Sequence, residues 1–326
     1  MINELSALRR IEERFHKTSD DVLLGIGDDT AAVRFKTGNL VLATTDSQVE
    51  GVHFVKTHIS PSDLARKAVA VSVSDIGAMG GIPKFILASV GFSDEEDENF
   101  LDALILGFSK AEEEFGVELV GGNLSSSDML FIDITVLGEV EPDLIVKRST
   151  AIAGESIYVS GTLGDSALGL KLLQGSEEVT NAAPLTRKHL HPSPRLELGR
   201  QLALYRLAGS MIDISDGFLL DLERITANYC KGATIDITKI PTSKEYDEWV
   251  GYFYDNIYEP ALSGGEDYEL LFTSNTENRD KIQKLSDKLK IKITEIGEIT
   301  TSKTIEILNS RDEINLKQRG FVHFNG

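Results

Sequence analysis

Carboxylates in this sequence recur beside glycine, serine or threonine, in short runs that close one element and open the next. Gly25-Ile26-Gly27-Asp28-Asp29-Thr30 sets Asp28 next to Asp29 at the tip of a tight, glycine-bearing turn. Two neighbouring ionised carboxylates repel, so this arrangement asks for a cation or for open solvent. Thr44-Thr45-Asp46 ends the apolar run from Leu40. Its hydroxyl and carboxylate oxygens are hard ligands suited to Mg2+, with a strand-terminal turn cap as the plain alternative. Asp75 is an isolated carboxylate in the otherwise apolar stretch Ala68–Gly80. Burying it unpaired is costly, so it needs a cation or a salt bridge to Arg66 or Lys67. Ile212-Asp213-Ile214-Ser215-Asp216-Gly217, with Asp221 beyond, puts two acids and a hydroxyl at a strand-to-helix junction. Helix capping accounts for Ser215 or Asp216 but not for both acids. Leu262-Ser263-Gly264-Gly265-Glu266-Asp267-Tyr268-Glu269-Leu270 again delivers acids from glycines into a strand, and a solvated turn is the alternative.

Two signals carry other chemistry. Gly121-Gly122-Asn123-Leu124-Ser125-Ser126-Ser127-Asp128 reads as a glycine-rich turn whose backbone N–H groups could cradle phosphate, or as a plain polar turn. It matches neither the Walker loop nor the protein-kinase glycine loop. His53, in Glu50-Gly51-Val52-His53-Phe54, is either a packed, hydrogen-bonded residue or a donor to a phosphate or ring. No second histidine stands at metal-binding spacing, and the lone cysteine, Cys230, can build neither a cysteine-based zinc site nor an internal disulfide. If the acidic turns converge, they form an anionic pocket tolerable only around divalent cations, the setting in which a nucleoside triphosphate binds through Mg2+.

The elements that must position these groups mix strands and helices throughout, which predicts an α/β or α+β fold. Helical periodicity covers Ser62–Met79, Glu95–Phe115 and Gly217–Tyr229, with Gly116 as a stop signal. Strands are expected at Leu40–Thr45, Leu130–Leu137, Ser156–Ser160, Met211–Ile214, Ala233–Ile237, Tyr268–Phe272 and Lys290–Ile299. A boundary near Lys147–Gly154 divides the chain into expected domains 1–147 and 148–326, the second opening on the strand–turn–helix from Ser156. The 326 residues are 41% hydrophobic and 26% charged, which excludes a fibre or a wholly disordered chain. A net charge of −19 disfavours nucleic acid and anionic membrane as partners. Leu5, Leu8, Ile11 and Phe15 predict a short amphipathic helix, with Glu and Arg where a signal peptide needs an apolar core. No apolar window reaches membrane-spanning length, so a cytoplasmic protein is expected.

In their order along the chain, GIGDD, TTD followed by GVHF, SVSDIGAMGG-x-PK, GGN, ISDG and SGGEDYEL resemble the thiamine-monophosphate kinase family. The resemblance runs from the N-terminal segment to about Thr273 and, more weakly, to Gly320–Phe324. It lies within the superfamily of aminoimidazole ribonucleotide synthetase, selenophosphate synthetase and a hydrogenase-maturation protein. It implies a two-domain α/β fold whose N-terminal domain, residues 1–147, binds ATP and Mg2+ and pairs its sheet across a homodimer. It also implies phosphorylation of thiamine monophosphate to thiamine diphosphate by direct in-line transfer from ATP with several Mg2+ ions. Carried over by motif, Asp28, Asp29, Thr44, Thr45, Asp46, Asp75, Asn123, Asp213 and Asp216 form the metal shell, and Asp46, Asp75, Asp213 and Asp216 are catalytic. Gly122, Asn123, Arg148 and Ser215 meet the nucleotide, while His53, Glu266 and Phe321 meet the thiamine phosphate. Two departures stand out. Many members have Asp where this chain has Asn123, and the tail offers Phe321 and Phe324 instead of a tryptophan or tyrosine, the only Trp249 lying elsewhere. A related ATP-dependent enzyme with another acceptor, or an inactive Mg2+- and nucleotide-binding module, are the alternatives.

Overall fold

The computed structural model describes residues 10–11, 13–15, 19–24, 32–175, 183–227, 231–309 and 320–321. Asp28, Asp29, Cys230 and Phe324 lie outside these residues. The chain forms two compact units, one made of residues up to Gly77 with Gly81–Asp143, the other of Ala78–Gly80 with Leu144–Gly326.

The first unit holds a short ribbon of β1 (Val22–Leu24) and β2 (Ala32–Val33) and a four-stranded sheet. The sheet order is β3-β6-β4-β5, with β3 at Leu40–Val49, β4 at Ile82–Phe92, β5 at Glu118–Ser126 and β6 at Phe131–Val140. Only the β4–β5 pair is parallel. Helix α1 (Pro61–Ala78) is buried almost all round, as its run of Ala and Val dictates. Helix α2 (Glu98–Phe115) starts later than its periodicity suggests, because Asp97 caps it by accepting from Phe100 N at 2.8 Å. It ends at Gly116, left-handed at φ 67°. Gly107 lets the two helices close, since a Cβ there would lie 2.2 Å from Ser62 O.

One expectation is corrected. Gly121-Gly122-Asn123 is not a turn; it lies inside the edge strand β5, at a register shift against β4. Gly122 has φ 158°, and a Cβ on it would sit 1.9 Å from Ala88 O, so the irregular pairing requires glycine. β4 carries no alternation signal because Ile82–Phe92 is packed on both faces for much of its length.

The second unit is a six-stranded sheet in the order β12-β9-β11-β7-β10-β8, antiparallel except for the β12–β9 pair. Its strands are β7 (Ser156–Ser160), β8 (Ser210–Asp213), β9 (Gly232–Asp236), β10 (Leu270–Ser274), β11 (Ile293–Thr300) and β12 (Ile305–Leu308). Both faces are covered. Ile157, Val159 and Leu271 join a core with helices α3 (Asp165–Leu173), α6 (Phe218–Thr226), α7 (Lys244–Phe253) and α8 (Glu259–Ser263). Tyr158, Met211 and Phe272 point the other way, into a core with α5 (Leu196–Leu204) and α9 (Arg279–Leu289). Helix α4 (Ala183–Leu190) packs beside α3. Among the described residues no helix is long and apolar enough to cross a membrane.

Candidate functional site

In the first unit β3 meets α1 through Thr44 and Asp75. Residues two apart on a strand share a face, so Thr44 and Asp46 point one way and Thr45 the other. Thr44 Oγ1 donates to Asp75 Oδ2 at 2.5 Å, while Thr45 lies exposed on the opposite face, 3.3 Å from Thr135 Oγ1. Arg66, a sequence-level partner for Asp75, instead pairs with Glu114 at 2.6 Å and lies over the Phe115 ring. Lys67 is fully buried.

His53 follows β3. Its Nδ1 accepts from Val49 N at 3.1 Å, which places the neutral ring's proton on Nε2. Lys56 braces the same loop through Glu50, Glu95 and Glu96, at 3.4, 2.8 and 2.7 Å.

Asp46, Ile134, Ala88 and Gly122 lie in one row across the sheet. β3 and β5 are its opposite edges, three strand spacings or about 14 Å apart. Asn123 therefore does not join Asp46 and Asp75 around a single ion within this unit. It borders an apolar cavity of about 90 Å³ lined by Ile11, Phe15, Leu104, Ile105 and Phe108 on one side and Gly121–Leu124 on the other. The glycine-rich motif marked one wall of that cavity, whereas Ile11, Phe15, Leu104, Ile105 and Phe108 read as ordinary core positions.

In the second unit two motifs interlock through their backbones. Glu266 N donates to Ser215 O at 2.7 Å, Tyr268 N to Ile214 O at 2.9 Å and Ile214 N to Glu269 O at 2.8 Å. A Cβ on Gly265 would lie 2.6 Å from Ser215 O, so this contact excludes any larger residue. Phe321 N reaches Asp216 O at 2.8 Å, so Ser215, Asp216, Glu266 and Phe321 share one locality. Asp213 is buried at the end of β8. Arg148 is exposed between β6 and β7.

Other carboxylates build this scaffold. Neither Ser215 nor Asp216 caps α6. Asp221, fully buried, reaches back so that its Oδ2 accepts from Ser215, Asp216 and Gly217 N at 3.2 Å each. Burial pushes its carboxyl up to about 6, against the pull of Arg224. Arg224 bonds Asp216 as well as Asp221. Desolvation drives Asp267 well above the usual carboxylate range, although Gly164 N and Ser166 N donate to it at 2.8 and 3.4 Å. Glu269, 1% exposed, accepts from both Nε and Nη2 of Arg195 and from Ser160 Oγ at 2.6 Å. Nothing local announces Arg195, whose partner Glu269 lies 74 residues away, whereas Arg224 stands three residues from Asp221 on the same helix, a spacing the sequence does carry.

The carboxylate and hydroxyl oxygens of Thr44, Asp46 and Asp75 fit a hard cation. As placed, Asp216 fits less well, since Arg224 already neutralises it. Among the described residues no group of three or more His, Cys, Asp or Glu is close enough to hold a metal, and Asp28 and Asp29 lie outside that set.

The N-terminal domain family of AIR synthase related proteins matches residues 27–140, which gives the class of that stretch. A thiamine-monophosphate kinase of Buchnera aphidicola (from Acyrthosiphon pisum) is 36% identical over 99% of both chains. Among solved structures, the thiamine-monophosphate kinase of Stenotrophomonas maltophilia superimposes with a TM-score of 0.84 at 31% identity, covering 95% of this chain and 98% of that one. AaThiL complexed with AMPPCP and TMP gives 0.79 at 32% identity, covering 98% and 97%. This chain belongs to the thiamine-monophosphate kinase family.

Proposed function

We propose that this chain transfers the γ-phosphoryl group of ATP to thiamine monophosphate, giving thiamine diphosphate and ADP by direct in-line attack. The reading rests on end-to-end kinship with these kinases in a chain that keeps Ser215, Asp216, Glu266 and Phe321 together on interlocked turns. The attacking phosphate oxygen is already anionic near neutrality, so no residue need remove a proton from it. The barrier is repulsion between two phosphates, and positioning lowers it.

In the first unit Thr44, Thr45, Asp46, Asp75 and Asn123, with Asp28 and Asp29, are the residues proposed to hold Mg2+; in the second, Asp213 and Asp216. When bound, Mg2+ would screen the charge of the approaching phosphates. Asp46, Asp75, Asp213 and Asp216 are the proposed catalytic carboxylates, and Arg224 must yield for Asp216 to take part. Gly122, Asn123, Arg148 and Ser215 are assigned to the nucleotide, Gly122 and Asn123 to its phosphates. His53, through Nε2–H, is assigned to the substrate phosphate. Glu266 and Phe321 are assigned to the cationic, aromatic thiamine portion, which Phe321 can stack against without a hydrogen-bonding tip.

A homodimer belongs to the same reading: Val41 on β3 is 53% exposed, and its face of the sheet offers area for a second copy. So does a cytoplasmic location, since a chain with one cysteine gains nothing from an oxidising compartment.

The test is incubation with ATP and Mg2+, separately with thiamine monophosphate and with thiamine, followed by chromatography. Thiamine diphosphate should form only from the monophosphate and vanish with chelator. ADP without thiamine diphosphate would point to another acceptor. Neither product, with ATP bound, would leave a binding module.

A further inference from the structure

Behind the interlocked turns, one buried imidazole faces the proposed substrate contact. His189, near the end of α4, is 4% exposed. Its Nδ1 stands 3.0 Å from Glu266 Oε2 and 3.1 Å from Ser166 Oγ in the first turn of α3. An ionised carboxylate only accepts, so the approach to Glu266 is attractive only when Nδ1 carries the hydrogen. Glu266 itself is held in the left-handed region at φ 64°, a conformation that non-glycine residues rarely adopt. Its backbone is pinned by Ser215 O, and the His189 contact bears on which rotamer its side chain takes.

We propose that His189 is a positioning residue for substrate binding: its Nδ1–H fixes the Glu266 carboxylate in the orientation that meets the cationic organic part of thiamine monophosphate. This rests on the assignment of Glu266 to that substrate. His189 touches neither phosphate in this scheme, so removing it should act on one substrate and not on the transfer step.

The experiment is steady-state kinetics on the full chain, varying each substrate at saturating levels of the other. His189→Leu should raise KM for thiamine monophosphate about tenfold, the size of one hydrogen bond to a charged group, with kcat and KM for ATP within about twofold. His189→Asn, whose amide nitrogen takes the place of Nδ1, should bring KM back to within about threefold of the parent. His189→Gln extends its donor to the Nε2 position and should behave as Leu does, so the Asn–Gln pair carries the test if the Leu variant does not fold. In the double variant His189→Leu/Glu266→Ala, KM should equal that of Glu266→Ala alone.

An unchanged KM for thiamine monophosphate, a loss spread equally over kcat and ATP, a loss that Asn does not restore, or effects that multiply in the double variant would each overturn the proposal. If Glu266→Ala alone leaves that KM unchanged, the assignment of Glu266 fails and the proposal with it. If Glu266→Ala raises it and the His189 variants do not, only the role of His189 is lost.

Discussion

The two acidic turns of the second unit use the same residue types to different ends. Around Ser215–Gly217, the buried Asp221 gathers three backbone N–H groups, and Asp216 is left part-exposed against Arg224. Around Glu266–Glu269, Asp267 takes two N–H groups and Glu269 takes Arg195, leaving Glu266 part-exposed against His189. Each turn thus commits its inner carboxylates to structure and presents one outward. The outward acids differ in the cation beside them. A guanidinium keeps its charge at any accessible pH, so Asp216 must exchange a permanent partner before it can hold a metal. An imidazole can stand neutral, so Glu266 retains its own charge for a cationic ligand.

That contrast breaks most visibly at Glu269. Glu269→Ala strands the Arg195 guanidinium, and thermal melting should show a loss of about 3–5 kcal/mol, roughly 10 °C in Tm. A melt within 2 °C of the parent, taken as roughly experimental scatter, would show that Arg195 finds solvent instead. For an outward acid the readout changes: Asp216→Asn should lower turnover about 100-fold while Tm moves by no more than about 2 °C. If Tm falls and turnover does not, Asp216 belongs with the structural acids. Asp221→Asn keeps the shape and one acceptor oxygen but loses the charge and the oxygen that takes Arg224, and denaturant unfolding should register about 1–2 kcal/mol.

The smallest effect sharpens the comparison from outside both turns. Burial raises the Glu112 carboxyl in α2 to about 7, opposed by the Leu119 N–H it accepts. The folded form then binds its proton more tightly than the unfolded form, whose value is near 4.5. Stability from this group is therefore fully present below about pH 4.5 and declines as pH rises towards 7. Glu112→Gln should flatten that slope by under about 1 kcal/mol, once its partial exposure is allowed for. An unchanged slope in urea melts at pH 5 and pH 7 would remove the shift.

Much of the fold was legible in local pattern. β7 matches its expected span residue for residue, and α1 differs by one residue at each end. β10 begins at Leu270 rather than Tyr268, because Glu266 and Tyr268 adopt left-handed backbone that no pattern of residue types announces. β5 was hidden by its glycines, which the close approach to Ala88 demands and which read as a turn. Of the site, the outward acids were legible from their motifs. His189 and Arg195 were not, since pairing across elements leaves no local signature, while the Asp221–Arg224 spacing on one helix is a local one. Nor does sequence separate Glu266 from Asp267 and Glu269, whose surroundings alone give them different work.

The central strand β7 also has a consequence for how the chain is made. All of its residues are buried, and its two neighbours in the sheet are β10 and β11. Leu270, whose N–H reaches Ser160 Oγ, lies 110 residues downstream. At ribosomal speeds of about 5–20 residues per second, β7 waits roughly 5–20 s with both edges unpaired after it emerges. In the first unit β4 meets β5 and β6 nearer in sequence, but β3 also waits for a distant partner in β6. Late pairing leaves the apolar segment Ser156–Ser160 as one that a chaperone would have to shelter during synthesis.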